Sequence, residues 1–171
     1  MILREFSAWL HATALSQTIQ SVFWVVPLVQ SIHIIMIGVV FVSSLVVALR
    51  VLGKMRADES FADVWGRFAP WMWSAFFVMV FTGIVMIIGE PAREFGTLSF
   101  WLKMGLVVLA VTLTAVLGRL MKTAPHDAAT PLRGPAQPTA ISLVVLWLFI
   151  IFLGRAIAYD VEVWGALSPH A

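Results

Sequence analysis

The chain has 171 residues, 61% of them hydrophobic and 12% charged, and a mean hydropathy of +0.96. Soluble domains carry about 25% charged residues, so this is an integral membrane protein with no room for a separate water-soluble catalytic domain. The absence of cysteine excludes disulfides, thiolate metal sites and covalent c-type haem attachment, and a net charge of +2 gives no reason to expect a nucleic-acid partner.

Residues 2–20 lack the clean apolar core of a signal peptide. Leu3, Phe6, Trp9, Leu10, Ala14 and Ile19 recur at roughly helical spacing, with Ser7, His11, Ser16, Gln17 and Gln20 mostly elsewhere around the helix. That pattern predicts an amphipathic helix lying in the membrane interface. A first span follows over about 22–52, with Pro27 in its opening turns, where proline is tolerated. The next loop carries Arg50, Lys54, Arg56 and Arg67 among Asp58, Glu59 and Asp63, with a short surface helix over roughly 60–68.

The second span is expected over 71–89, started by Pro70 and ended by Glu90-Pro91. A short connection with Arg93 and Glu94 leads to a third span over 99–121. The loop 122–139 holds Pro125, Pro131, Pro135 and Pro138 and reads as irregular. A fourth span covers 140–158, and an acidic tail begins at Asp160. The expected fold is therefore all-α: one membrane domain over 1–171, a four-helix bundle with an N-terminal interfacial helix.

Charge sets the orientation. Arg50, Lys54, Arg56, Arg67, Arg119, Lys122 and Arg133 flank one end of the spans, against Arg4, Arg93, Lys103 and Arg155 at the other. The positive-inside rule places loops one and three in the cytoplasm and both termini outside.

Near the middle of the first span sits His33, the one histidine of four deep inside a hydrophobic stretch. An ionisable group at that depth is costly, so it normally faces protein, water, a metal or a cofactor. In this orientation Gln30 and His33 lie in the outer half to middle of span one. Lys103 lies about one turn below the outer surface, and Arg155 and Tyr159 at the outer end of span four. Three spans thus contribute polar groups to one layer.

A neutral imidazole binds haem iron without adding a buried charge, and propionates need cations near an interface. His33 at depth with Lys103 and Arg155 above it follows that order. Gly38, Gly83 and Gly105 offer gaps for a flat macrocycle, although membrane glycines also serve close helix packing. Helix fastening, proton relay and metal binding are the other roles open to a lone intramembrane imidazole. Lys103 and Arg155 equally suit snorkelling to the interface, and Met36, Met79, Met86 and Met104 are thioether donors or core filler.

The run from Trp24 through Pro27-Leu28-Val29-Gln30-Ser31-Ile32-His33-Ile34-Ile35 to Gly38, followed by Leu49-Arg50-Val51-Leu52-Gly53, resembles a family of four-span bacterial membrane proteins. This is the domain of unknown function numbered 6644. Phe68-Ala69-Pro70-Trp71, Thr82-Gly83 and Phe100-Trp101-Leu102-Lys103 are similar to its later motifs, so the resemblance covers roughly 15–122. It implies a four-helix protein of the bacterial inner membrane, with no established activity. A more distant similarity, a first-span His in this context with a Lys opening a later span, is to the HemJ-type protoporphyrinogen oxidases and the CopD copper-resistance domain. It implies haem b on His33, with Lys103 acting on the tetrapyrrole or its substrate. The first loop and the long proline-rich third loop depart from HemJ, so protoporphyrinogen oxidation does not transfer.

The leading expectation is a b-type haem protein doing electron transfer or redox chemistry at the outer face. Gln30, Lys103, Arg155 and Tyr159 complete the candidate cofactor layer. A copper-handling protein or transporter using His33, His11 and Met side chains is the alternative, and a cofactor-free scaffold or accessory subunit is the third. His11, on the interfacial helix, is the best-placed second axial ligand; a Met, a symmetry-related His33 or an open position are the others. His126 and His170 suit the role less by position. With large apolar faces and few ways to enclose a haem alone, the chain is expected to form a dimer or trimer in the bilayer.

Overall fold

The structure, a computed structural model, describes residues 2–124 and 131–168. His126, His170 and part of the proline-rich loop lie outside the described residues. The described chain is helical: α1 (Ile2–His11), α2 (Ala14–Ser21), α3 (Val25–Val51), α4 (Phe61–Gly89), α5 (Pro91–Phe95), α6 (Leu98–Lys122), α7 (Ala136–Ala156) and α8 (Asp160–Trp164). Short 3₁₀ turns, Ile157–Tyr159 and Gly165–Leu167, flank α8. Four segments are long and apolar enough to cross a bilayer: α3, α4, α6 and the run from Ala136 to Leu167 that begins with α7. The expected all-α membrane architecture is present.

Two expectations about element boundaries need correction. The N-terminal segment is two helices, not one over 2–20. Thr13 is extended (φ −68°, ψ 147°), and its hydroxyl accepts from Ser16 N and donates to the Leu10 carbonyl. A threonine that caps the following helix ends the preceding one, because the cap backbone is not helical. The second correction is α4, which runs unbroken from Phe61 through Pro70. Ser60 starts it, accepting from Asp63 N at 3.1 Å and donating to the Asp63 carboxylate at 2.6 Å. The segment 60–68 is therefore the first part of the span helix. At 29 residues α4 is about 43 Å long, more than the ~30 Å hydrocarbon core needs. Pro70 deletes one backbone bond, a loss membrane helices tolerate.

The spans form a ring in the order α3, α4, α6, α7, with α3 packed on both α4 and α7. The α4–α6 seam is the sparsest of the four sides. Large side chains such as Phe77, Phe81, Val108 and Phe152 are exposed, as lipid-facing positions should be. The same holds for Leu3, Phe6 and Trp9 on α1, whose apolar face is open and suits a membrane interface.

Packing is uneven along the bundle. In α3 every buried residue lies from Val40 onward. In α6 none lies between Phe100 and Ala110. The dense end gathers Val47, Val51, Val64, Leu117, Met121 and Ala140 around the fully buried Arg50. The Arg50 guanidinium donates from Nε and Nη2 to the Glu59 carbonyl at 2.9 and 2.7 Å and stacks 3.8 Å from the Phe61 ring centroid. Leu132 N donates to the Val51 carbonyl, so the third loop is laid on the end of α3. At Gly118 a Cβ would overlap the Trp65 indole, so α6 needs glycine there.

The other end carries a cap of short helices. Phe95 of α5 meets Phe6 of α1 edge-on at 5.6 Å and Phe100 of α6 at 5.7 Å, with Trp101 at 6.2 Å. Trp101 Nε1 donates to the Phe95 carbonyl. The segment after α7 is fastened more firmly than an acidic tail. The Asp160 carboxylate, buried, accepts from Leu98 N (3.1 Å), Ser99 N (2.9 Å), Ser99 Oγ (2.6 Å) and Ser168 Oγ (2.7 Å). It caps α6 from a distant part of the chain, where Thr97 makes no side-chain cap bond.

Candidate functional site

His33 lies within the loosely packed half of α3, half-buried. Its Nδ1 is 2.8 Å from Thr82 Oγ1 on α4. The Thr82 hydroxyl is already committed, donating to the Val78 carbonyl at 2.9 Å and the Met79 carbonyl at 3.0 Å. A hydroxyl has one proton to give. With the Thr82 proton given to a helix carbonyl, the His33 proton sits on Nδ1, donating to Thr82, and the lone pair is on Nε2. That is the tautomer in which metal-binding histidines are usually held by an outer partner.

The floor beside the ring is Gly83, where an added Cβ would stand 3.5 Å from His33 Cε1. A Cβ built at Gly38 or Gly105 would meet nothing within 4 Å. Both are exposed on the outer surface of their helices, so the space beside them lies outside the bundle, whereas Gly83 has the His33 ring against it.

Lys103 projects from α6 about one turn beyond the Asp160 cap, half-buried, with Nζ 5.6 Å from the Phe100 ring centroid. It lies within electrostatic reach of His33 and of Glu94 on α5. Glu94 is only 4% exposed. Burial raises its carboxyl above the usual carboxylate range, opposed by the nearby Lys103 and Arg93 cations and reinforced by Glu90. The structure thus brings His33, Thr82 and Gly83 together, with Lys103 within electrostatic reach of His33 and Glu94 within reach of Lys103. Gln30 stands one turn before His33 on α3, half-buried.

The other expected members of the layer stand apart. Arg155 and Tyr159 are both exposed, because the end of α7 turns Ala156, Ile157 and Asp160 inward instead. His11 is exposed at the α1–α2 corner, its Nδ1 3.0 Å from Gln20 Nε2 and its carbonyl accepting from Gln17. Among the described residues no three His, Asp or Glu side chains gather as a metal cluster.

Sequence reasoning overlooked Thr82, Glu94 and Asp160 as contributors. Thr82-Gly83 stood out only as part of a resemblance. Glu94 sits among charged neighbours in a connection, which gives no sign of burial. No family model matches the chain, and neither the curated proteins nor the solved structures include one significantly similar to it.

Proposed function

We propose that this chain is a b-type haem-binding membrane protein, with His33 as an axial ligand and its work in electron transfer or redox chemistry at the outer face. The observation that carries the reading is the His33–Thr82 hydrogen bond. It orients the ring and keeps a lone pair on Nε2 in the apolar layer. The residues present fit the group. What supports the fit is an imidazole held by an outer hydroxyl, the small Gly83 beside it and a cation within electrostatic reach. Haem, when bound, would supply one-electron chemistry. Thr82 would fix the ligand tautomer, and Lys103 would meet an anionic edge of the macrocycle. The aromatic cap of Phe6, Phe95 and Phe100 would keep water from that edge. Only Gln30 and Lys103 of the other expected partners stand with His33.

The orientation, inner membrane with both termini periplasmic, is proposed on the excess of Lys and Arg at the Arg50 end. A cysteine at position 58 labelled from outside intact cells would reverse it. A second ligand would have to come from elsewhere, a second copy of the chain included, since His11 is exposed at the α1–α2 corner and bonded to Gln20.

A second reading rests on the same bond: His33 fastens α3 to α4 and binds nothing. Absorption spectra of the purified protein separate the two. On the haem reading a Soret band is present, His33→Ala removes it, Lys103→Ala weakens haem retention without abolishing it, and His11→Ala leaves the band in place. A haem-loaded His33→Ala protein with the parent spectrum would end the haem assignment. Metal analysis of the same sample addresses copper.

A further inference from the structure

A second candidate site lies at the opposite end of the bundle, in the α4–α6 seam. Trp65 packs its indole on the bare backbone of Gly118, in a seam where α4 and α6 are otherwise sparsely packed. The result is a side-opening groove of about 450 Å³, lined by Trp65, Gly66, Ala69, Pro70 and Trp73 of α4 and by Ala115, Gly118, Arg119 and Lys122 of α6. Its walls are aromatic or small, and its two charged members are both cations at the helix end. Among the described residues Arg119 and Lys122 enter no ion pair, and both are exposed. Pro70 has no N–H to give to the Gly66 carbonyl, so the groove also presents a backbone acceptor without its usual helical donor.

We propose that this groove seats an anionic glycerophospholipid, its phosphate on Arg119 and Lys122 and an acyl chain along the Trp65–Ala69–Trp73 wall. The charge is complementary, and the position suits a lipid. The cations stand at the end of a spanning helix, at headgroup height, while the apolar wall runs from there toward the hydrocarbon. Basic pockets between spans recognise acidic headgroups in this way. The Gly66 carbonyl offers an acceptor for a glycerol hydroxyl. The bland role of the two cations, offsetting the negative end of the α6 dipole, needs no groove.

The test uses the full chain in detergent, stripped of lipid, and native mass spectrometry with phosphatidylglycerol or phosphatidylcholine of the same acyl chains. Retention of phosphatidylglycerol over phosphatidylcholine is expected, and Arg119→Gln with Lys122→Gln should lower that preference by about thirtyfold at roughly 1 kcal/mol per cation. Ala115→Trp should fill the groove and displace the lipid while leaving both charges in place. Binding that survives Ala115→Trp means surface attraction only and overturns the seat. Equal retention of the two lipids, or competition by inorganic phosphate at equal concentration, overturns it as well.

Discussion

The two ends of the bundle are built from the same four helices and on opposite principles. At the Arg50 end small and large apolar residues interdigitate, Gly118 admits an indole, and a buried guanidinium closes the first loop onto the helix end. At the His33 end α3 buries nothing before Val40 and α6 buries nothing between Phe100 and Ala110, while short cap helices bridge above. Close packing supplies stability. An apolar layer with a few oriented polar groups is where the proposed chemistry would sit. The division of labour explains why the polar residues of highest interest are not those that hold the fold.

Breaking the dense end should cost most. Arg50→Ala removes a bidentate donor and the stack on Phe61, leaving the Glu59 carbonyl without it and a void in the core. The expected loss is on the order of 3 kcal/mol, read as a lower melting temperature of the solubilised protein. Gly118→Ala, which forces a methyl into Trp65, should cost about 1–3 kcal/mol. Gly105→Ala at the open end, where a Cβ meets nothing, should stay within about 0.5 kcal/mol of the parent. Equal penalties at this exposed glycine and at Gly118 would mean that the Trp65 contact does not hold the dense end together.

Thr82→Val tests the orienting bond. Interhelical hydrogen bonds in membranes average about 0.6 kcal/mol, so stability should fall little. The haem spectrum should shift nonetheless, since the His33 Nδ1–H loses its acceptor. A large drop in stability with no spectral change would favour the fastening role.

The smallest effect concerns Glu94. Its folded carboxyl titrates above the usual carboxylate range because of burial. The unfolded chain therefore releases its proton first, and stability falls as pH rises between the unfolded and the raised folded value. Glu94→Gln should match the parent below that window and lose the decline across it, in melting temperatures measured against pH. A parallel decline in the variant would remove Glu94 as its source.

The spans were legible because composition and run length carry them directly: 22–52 and 99–121 differ from α3 and α6 by a few residues at most. The break at Thr13 and the passage of α4 through Pro70 were not, since each depends on which of two local hydrogen-bond choices the tertiary setting favours. His33 stood out because imidazole is rare at that depth, and Lys103 because α6 begins just before it. Thr82 carried no such signal, being an ordinary small polar residue of a span. Arg155 and Tyr159 share a height with the site but not a direction, and a helical end that tightens into a 3₁₀ turn changes direction in ways spacing does not reveal.

On the proposed reading His33 would present Nε2 to haem iron near the middle of α3. The most direct measurement is the absorption spectrum of haem-loaded His33→Gly with and without added imidazole, beside the parent. The expected result is a Soret band of ligated haem in the parent, its loss in the variant, and its return when imidazole enters the space the ring has left. A variant that keeps the parent spectrum without imidazole, or a parent that behaves as the variant does, would contradict it.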